Sequence, residues 1–408
     1  MNCRHCAASL SLPLIDLGTA PPSNAYLTAA ALERPEKRFP LRVLVCEQCW
    51  LVQTEDFADA RDIFDAQYAY FSGVSTSWLA HAERYVQEMV KRFGLGQRSR
   101  VVEIASNDGY LLQYVKAQGI PCTGVEPTAS TAAAARAKGI DVVQEFFGTN
   151  VAGMLRDRGL SADLMVANNV LAHVPDVNDF CAGFAMMLKS GGVATFEFPH
   201  LLQLMAQGQF DTIYHEHFSY LSLTAVMSVF ARAGLQVFDV QELPTHGGSL
   251  RVFAQRSDAA AQPIAEAVSA MLQRETDVGV RTCAYYVGLQ PRAERIRDQL
   301  NGFLRQAKTE KRSVIAYGAA AKGNTLLNFA GVSSELVRCV VDLNSAKQGK
   351  FMPGSRIPIV GRDVLDHERP DYLLVLPWNI LPEVRQQNAA LAIQGTRFVT
   401  AVPELQVW

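Results

Sequence analysis

Seven consecutive residues, Tyr214-His215-Glu216-His217-Phe218-Ser219-Tyr220, hold two histidines, one carboxylate and two phenols between apolar segments. No other window of the sequence holds so many groups that can exchange protons near neutral pH. On a strand, His215 and His217 would share a face and could bind a metal. On a helix, Tyr214 and His217 would share a face and could form an acid/base pair. A solvated polar turn is the third interpretation, so the elements around this window must decide between them.

Four of the eight cysteines form two C-x-x-C pairs, Cys3 with Cys6 and Cys46 with Cys49. Such pairs offer thiolates at a spacing that suits the corners of a tetrahedral zinc site. A redox disulfide is the alternative, but it usually uses a single C-x-x-C pair. Because four cysteine ligands leave no open coordination position, we predict a structural Zn²⁺ that helps a small N-terminal domain to fold.

The clearest fold signal begins at residue 100. A short apolar strand, Arg100–Ala105, is followed by the turn Ser106–Gly109, the helix Tyr110–Gln118 and the strand Cys122–Glu126, which ends in an acid. This order predicts the mononucleotide-binding half of a Rossmann-like sheet. The turn contains no G-x-G-x-x-G sequence, which argues against NAD and favours a ligand without a pyrophosphate, such as S-adenosylmethionine.

The strand and helix alternation continues through Ile140–Gln144, Asp163–Val170 and Gly192–Phe198 and ends in an antiparallel pair, Leu235–Val240 with Ser249–Gln255. Open sheets of this class bind ligands at the carboxyl ends of their strands. We therefore expect the methyl donor to contact residues in or just after these strands, namely Glu103, Ala105, Ser106, Asn107, Asp108, Gly109, Glu126, Phe146, Asn168 and Asn169.

A second α/β unit follows a stretch from Ile264 to about Lys308 that has the periodicity of one long amphipathic helix. Its first strand, Arg312–Tyr317, leads into a turn of small residues, Gly318–Thr325, that opens a helix. Such a turn lets phosphate approach free backbone amides. We predict nucleotide binding here, with dinucleotide or simple phosphate binding left open, and the candidate contacts are Lys322, Asn324, Asp342 and Lys347.

The composition is that of an ordinary globular protein, with 49% hydrophobic residues, 19% charged residues and a formal net charge of −2. No charge excess indicates a nucleic-acid or membrane-surface partner. The apolar runs are far shorter than the about 20 residues that cross a bilayer, and the N-terminus does not read as a signal peptide. We expect a soluble cytoplasmic protein of α/β class with three domains, at residues 1–67, 68–295 and 296–408.

Taken together, these motifs resemble those of the S-adenosylmethionine-dependent sugar C-methyltransferases that build branched deoxysugars on nucleotide carriers. The resemblance spans essentially the whole chain. It includes the paired cysteines, Glu103–Gly109 with Glu126, the segment Asn168–His173, Tyr214–His217 and Tyr317–Asn324. The combination is specific, whereas the cofactor turn alone would not be.

The resemblance implies methyl transfer from S-adenosylmethionine to carbon 3 of a 4-keto-6-deoxy sugar linked to dTDP or GDP. It implies that His217 is the base, with Tyr214 and Glu216 beside it and with Tyr68 and His173 lining the same pocket. It also implies that the C-terminal unit holds the nucleotide diphosphate. The chemistry agrees, because a 4-keto group acidifies the proton on carbon 3 and a carboxylate such as that of Glu216 could orient an imidazole.

Three alternatives remain open from the sequence. The C-terminal turn fits an NAD-dependent nucleotide-sugar oxidoreductase or epimerase, and the paired cysteines fit a zinc-ribbon interaction protein without catalysis. A metal held by His215 and His217 is a lesser alternative. If the cysteines hold the zinc, His215 is expected to have a structural role. The sequence predicts neither the sugar and its carrier nor the oligomeric state.

Overall fold

The computed structural model describes residues 1–55 and 71–408, so Tyr68 lies outside the described residues. Within that part of the chain the strands form three sheets, of four, seven and six strands. A small N-terminal sheet, a central Rossmann-like sheet and a second α/β unit confirm the predicted fold class. None of the helices in the described ranges combines the length and the apolar character that crossing a membrane requires.

The N-terminal sheet is antiparallel and takes its last strand from far along the chain. Its strands are, in order, Leu12–Ala20, Phe39–Val45, Val52–Thr54 and Ser219–Tyr220. The second strand buries Leu41, Val43 and Val45 and exposes Arg42, the alternation of a strand with one buried face. The last strand begins two residues after His217, so this sheet reaches the central histidine window directly.

The central sheet has the spatial order Leu235–Leu243, Ser249–Arg256, Leu188–Pro199, Ala162–Asn168, Val101–Ile104, Cys122–Val125 and Asp141–Val143. The first two strands are antiparallel to their neighbours and the rest are parallel, as predicted. The strand order reverses at Val101–Ile104, which opens a ligand crevice at the carboxyl ends of the strands.

In the described part of the chain, the α-helices up to the end of this sheet are Thr76–Phe93, Leu112–Ala117, Ala129–Ala137, Thr149–Asp157, Val177–Met187, Leu201–Gln207 and Leu223–Arg232. The first helix is capped at its N-terminus by Ser75, whose side chain accepts from the Trp78 amide, and at its C-terminus by Gly94, which has a left-handed backbone conformation. The predicted helix over Asp56–Arg92 is therefore confirmed from Thr76 onward, and residues 56–70 lie outside the described ranges.

The prediction of one continuous helix from Ile264 to about Lys308 is wrong. Two helices, Glu266–Asp277 and Leu289–Thr309, are separated by a connection that contains a short 3₁₀ turn. Gly279, at φ +87, directs the chain out of the first helix into a conformation that other residues rarely adopt. Amphipathic periodicity extends across the connection, so it could not reveal the break.

The C-terminal sheet has the order Ile359–Val360, Val340–Val341, Val314–Tyr317, Tyr372–Val375, Arg397–Thr400 and Gln406–Val407, and only the last pair is antiparallel. Its helices are Ala321–Ala330, Asp363–Glu368, Leu381–Gln387 and Ala389–Ile393.

One buried cluster joins the outer units to the middle of the chain. It contains Leu41 of the N-terminal sheet, Phe210 just before the histidine window, Leu300 of the long helix and Leu326 of the C-terminal unit. Burial of each such side chain contributes about 1.5–3 kcal/mol, so this shared core binds the units together. Residues 210–220, which we call the central segment, lie where the three units meet.

Candidate active site

A cavity of about 660 Å³ lies at this junction. Asn24 of the N-terminal unit, Glu126 and Asn168 of the central sheet, His217 of the central segment and Lys322 of the C-terminal unit all contribute to its wall. This volume lies within the range of about 300–1,000 Å³ that is usual for small-molecule sites. The cavity is therefore the candidate active site.

His217 is held in one tautomer by the backbone. Its Nδ1 lies 2.9 Å from the carbonyl oxygen of Thr212, which can only accept, so Nδ1 carries the proton and Nε2 carries the lone pair. Burial, together with nearby His173, lowers the pKa of His217 well below its ordinary value. The ring is therefore neutral at physiological pH and can accept a proton at Nε2.

The central segment owes its shape to anchors on both sides. Phe210 and Ile213 are fully buried, and Phe210 begins the 3₁₀ turn that ends at Thr212. The hydroxyl of Thr325 donates to the carbonyl of Ile213 at 2.8 Å, and the hydroxyl of Thr54 donates to the carbonyl of His217 at 3.0 Å. The C-terminal and N-terminal units thus each hold one end of the loop that carries the imidazole.

Two aromatic rings lie against the His217 imidazole. The ring centroid of Tyr214 is 4.0 Å away and that of His173 is 4.6 Å away in an edge-on arrangement. Burial lowers the pKa of His173 to about 4, although its hydrogen bond to the backbone of Glu216 acts in the opposite direction. His173 is therefore also neutral at physiological pH.

The carboxylate of Glu216, which could have oriented an imidazole, is not at His217 Nδ1, where the Thr212 carbonyl lies instead. It accepts from Asn24 Nδ2 with both oxygens, at 2.8 Å each, and lines the cavity. His215 lies 3.1 Å from the carbonyl of Pro40 through its Nε2, a contact to the N-terminal sheet that agrees with the expected structural role.

One end of the cavity, which we call the donor end, is where the methyl donor is expected to bind. Glu126, the acid that follows the strand Cys122–Val125, lies there, and both oxygens of its carboxylate accept hydrogen bonds. Glu126 accepts from the amides of Asn107 and Thr128 at 2.9 Å each, and from the hydroxyl of Thr131 at 3.0 Å. Ala105 and Asn107 have φ of 55° and 50°, so the turn bends sharply at the mouth of the crevice. Six of the residues predicted to bind the methyl donor lie in the cavity wall, namely Ala105, Asn107, Glu126, Phe146, Asn168 and Asn169.

The remaining predicted donor residues, Glu103, Ser106, Asp108 and Gly109, lie behind this wall. Burial raises the pKa of Glu103 well above its ordinary value, which disfavours the charged form of this carboxyl. Asp108 pairs with Lys138 at 3.3 Å and accepts from the Gly73 amide at 3.2 Å. These residues shape the turn instead of facing the cavity.

Asn168 offers the clearest sign that the donor end receives a polar ligand. Its side chain is 8% exposed and lines the cavity. Neither amide atom has a hydrogen-bond partner within the described ranges. Since buried polar atoms are nearly always paired, a ligand with polar groups fits this end of the cavity, as S-adenosylmethionine would.

The C-terminal unit contributes two lysines to the cavity. Lys322 donates to Asn379 Oδ1 at 2.7 Å and lies 4.8 Å from the centre of the Trp378 ring. Lys347 donates to the carbonyl of Ala319 at 2.8 Å. Both therefore place positive charge beside the small-residue turn.

The two other predicted substrate contacts lie outside the cavity wall, and Asp342 stabilises the turn from behind. The carboxylate of Asp342 accepts from the amides of Ala319 and Asn344 at 2.7 and 2.8 Å. Asn324 is 1% exposed and contacts Asn328 on its own helix.

The four predicted zinc ligands come together. The Sγ atoms of Cys3, Cys6, Cys46 and Cys49 all lie within 4.8 Å of one another. The closest pairs are 3.5 Å apart, too far for a disulfide bond of about 2.05 Å. Four thiolates about 2.3 Å from one ion would have this spacing, so the donor set fits Zn²⁺ with no open position.

Sequence reasoning missed several residues of the site. Thr212 acts through its backbone, for which no sequence signal exists, and Asn24 comes from a turn distant in sequence. His246 lines the cavity between the donor end and Lys322, and only its position before Gly247-Gly248 distinguished it in the sequence.

Comparison with known proteins gives three family matches along the chain, and the third begins within the central sheet. Residues 3–64 match a family described as "Putative zinc binding domain", residues 78–240 a methyltransferase domain family and residues 244–403 a C-methyltransferase C-terminal domain family. The C-methyltransferase NovU of Streptomyces niveus is 33% identical over 406 residues, which cover 100% of this chain and 96% of that protein.

Solved structures resemble parts of the chain more remotely. An S-adenosylmethionine-dependent methyltransferase from Clostridium acetobutylicum is 11% identical, with a TM-score of 0.36, over 44% of this chain and 92% of that chain. The magnesium protoporphyrin IX methyltransferase of Synechocystis is 13% identical, with a TM-score of 0.34, over 44% of this chain and 83% of that chain. At such TM-scores we infer nothing further from them.

Neither the full-length relative nor the family matches support the oxidoreductase alternative or the purely scaffolding alternative. The methyltransferase domain, the four-cysteine cluster and the C-terminal unit occur together, as the sequence motifs indicated. The chain belongs to the S-adenosylmethionine-dependent C-methyltransferase family.

Proposed function

We propose that the protein transfers a methyl group from S-adenosylmethionine to carbon 3 of a nucleotide-linked 4-keto-6-deoxy sugar, with His217 as the base. The observation that carries this proposal is the contact between His217 Nδ1 and the Thr212 carbonyl, which leaves a neutral Nε2 at the cavity. The name of the full-length relative, a C-methyltransferase, supports carbon as the acceptor atom.

Carbon accepts a methyl group only after it has become nucleophilic. His217 Nε2 takes the proton from carbon 3, the electrons of that C–H bond form the C3–C4 double bond, and the π electrons of the 4-keto group move to its oxygen. The enolate then re-forms the carbonyl as carbon 3 bonds to the methyl carbon. The S–CH₃ bond electrons go to sulfur, and the imidazolium of His217 releases its proton to water.

S-adenosylmethionine supplies the electrophilic methyl group in this scheme. Ala105, Asn107, Glu126, Phe146, Asn168 and Asn169 would hold it from the cavity wall, with Glu103, Ser106, Asp108 and Gly109 supporting the turn behind them. The unpaired amide of Asn168 supports this assignment. Carbon 3 must approach from the side opposite sulfur, which fits one cavity shared by both ligands.

Tyr214 and His173 would keep the His217 ring in place and exclude water from it, because both rings pack against it. Glu216, fixed by Asn24, would contact the sugar or its carrier and not the imidazole. Tyr68 would join this pocket by the family resemblance alone.

Lys322 and Lys347 would balance the charge of the nucleotide diphosphate, and Asn324 and Asp342 would maintain the turn that places them. The carrier base, dTDP or GDP, would be bound by the C-terminal unit. The zinc would be structural, and we place the domain boundaries near residues 67 and 295.

A mass-spectrometric screen tests the proposal. The protein and S-adenosylmethionine are incubated with 4-keto-6-deoxy sugars linked to dTDP or GDP. We expect the mass of one methyl group to be gained on carbon 3 of at least one of them, and only when the keto group is present. Methylation of the corresponding 4-hydroxy sugar, or transfer to oxygen or nitrogen, would contradict the enolate route.

A further inference from the structure

His246 lies in the cavity wall between the two ends of the site. Its Nε2 is 3.1 Å from Nδ2 of Asn169, at the donor end. Its ring centroid is 5.1 Å from that of Trp78, whose ring in turn lies 5.8 Å from that of Tyr110. Lys322 belongs to the wall of the same cavity. His246 is therefore close to the place where the methyl donor and the acceptor sugar must meet.

The contact with Asn169 determines which nitrogen of His246 carries the proton. The amide Nδ2 of Asn169 can only donate, so Nε2 of the imidazole accepts and Nδ1 bears the hydrogen. Burial, reinforced by Lys322, lowers the pKa of His246 to about 4, so the ring is neutral. Within residues 1–55 and 71–408, Nδ1 has no protein partner.

The backbone at this site is held in an unfavourable conformation. His246 has a left-handed φ of 55°, which costs on the order of 1 kcal/mol or more for a histidine, and Asn169 has a φ of 53°, which asparagine adopts at lower cost. Gly247 follows at φ +93, and a Cβ there would lie 2.5 Å from Cη2 of Trp378. The turn is thus wedged against the C-terminal unit, and such strain persists where the surroundings enforce it.

A buried ion network enforces it. The hydroxyl of Thr245 donates to Glu197 Oε1 at 3.0 Å, and Glu197 Oε2 accepts from Arg251 at 2.8 Å and from His81 at 2.9 Å. Burial alone would raise the pKa of Glu197, but the hydrogen bond from His81 and the charge of Arg251 hold it at about 2. A charged, fully bonded carboxylate makes a rigid anchor for the residue that precedes His246.

The two cavity histidines therefore have opposite tautomers. His217 has its N–H tied to a backbone carbonyl and offers a lone pair, whereas His246 has its lone pair tied to Asn169 and offers an N–H. We propose that His246 is a further catalytic residue that donates its Nδ1 hydrogen to the 4-keto oxygen of the sugar and to the enolate oxygen that forms from it. This inference rests on the proposed function, and a neutral imidazole suits the role because it keeps its proton as the oxygen gains charge.

Two substitutions separate the effect of the Nδ1 hydrogen-bond donor of His246 from that of the rest of its side chain. In His246→Gln the side-chain amide overlaps the position of Nε2 and can still meet Asn169, but the Nδ1 donor is lost. In His246→Asn the amide overlaps the position of Nδ1, and asparagine tolerates left-handed φ. His367→Gln, at an exposed histidine of the C-terminal unit, is the matched control.

With the keto sugar that the wild-type protein methylates, we expect kcat of His246→Gln to fall about 10²–10³-fold, as for the loss of one oxyanion donor. His246→Asn should be at least about tenfold faster than His246→Gln. KM and the affinity for S-adenosylhomocysteine should stay within about threefold, and His367→Gln should behave as wild type. The proposal is overturned if His246→Gln keeps near-normal turnover, if His246→Asn is no faster than His246→Gln, or if weaker S-adenosylhomocysteine binding accounts for the loss.

A spectroscopic measurement tests the tautomer without turnover and remains decisive if the variants misfold. The rings of both His81 and His246 contact Trp78, so the His246 resonance is assigned through its backbone connection to Gly247 and Gly248. In ¹⁵N-histidine-labelled wild-type protein, that resonance should show a neutral ring with its proton on Nδ1. A proton on Nε2 would overturn the proposal. Failure of every keto sugar with wild-type protein would instead refute the proposed function, and a normal wild-type rate with an unaffected His246→Gln would refute only the role of His246.

Discussion

The Nδ1 atom of His217 lies 2.9 Å from the carbonyl oxygen of Thr212, five residues earlier in the chain. This contact fixes the tautomer of the ring without using a carboxylate. A carboxylate partner would raise the basicity of the imidazole and favour its charged form, whereas a carbonyl leaves the ring neutral in its buried site. The protein thus combines an oriented base with a low pKa.

The low pKa of His217 predicts the acid limb of the rate profile. The base is active only when neutral, and burial lowers its pKa well below the usual 6.5. We therefore expect kcat/KM for methyl transfer to be independent of pH around 7 and to fall only below pH 6.5 as the ring gains its proton. Rate measurements across pH 5–9 check this. An acid limb centred above pH 6.5 would mean that burial does not lower the pKa of His217.

Loss of zinc should reach the central segment through the N-terminal sheet. Gln53 donates to Cys3 Sγ at 3.2 Å, and its strand pairs with Ser219–Tyr220, next to His217. Cys49→Ser or metal removal by a chelator should therefore raise amide hydrogen exchange at residues 218–220. Methyl transfer should fall by at least about tenfold, while S-adenosylhomocysteine binding changes little.

Cys339→Ala is the control for that experiment, because Cys339 lies in the C-terminal unit, just before the strand Val340–Val341, and outside the cysteine cluster. It should leave both exchange and turnover unchanged. If the metal-free protein kept normal turnover and normal exchange at residues 218–220, the N-terminal sheet would have no part in positioning His217.

Two threonine hydroxyls hold the ends of the histidine loop. Thr54→Val and Thr325→Val each remove a donor to a backbone carbonyl, that of His217 or that of Ile213, with little change in shape. We expect each to lower the free energy of unfolding by about 1–3 kcal/mol, since a buried carbonyl loses its partner. Denaturant unfolding measures this.

The exposed Thr309, which donates only to its own helix, supplies the matched control Thr309→Val. That variant should lose less than about 0.5 kcal/mol. Equal losses at all three positions would show that the two buried hydroxyls have no special role in holding the loop.

Much of this architecture follows from the sequence because its signals are local. The strand, turn, helix and acid around Val101–Val125 and the paired cysteines carry their geometry in residue type and spacing, and both predictions are confirmed. The density of titratable groups at residues 214–220 likewise indicated where the cavity wall would be. Such signals suffice to predict a fold class and to nominate a site.

What the sequence did not reveal depends on contacts between distant residues. The Thr212 carbonyl is a backbone group and has no signature. The sequence indicated that Glu216 could orient an imidazole, yet its carboxylate accepts from Asn24, nearly two hundred residues away. Apart from its position before Gly247-Gly248, nothing in the sequence distinguishes His246, because its left-handed backbone and its contact with Asn169 arise only in the fold.

Exchange of the carbon 3 hydrogen with solvent tests the central claim most directly. The 4-keto sugar is incubated in D₂O with the protein and S-adenosylhomocysteine, so that proton removal is observed without methyl transfer. Wild-type protein should incorporate deuterium at carbon 3, and His217→Asn should do so about 10²–10⁴-fold more slowly while binding S-adenosylhomocysteine normally. Exchange by His217→Asn at close to the wild-type rate would contradict the assignment of His217 as the base.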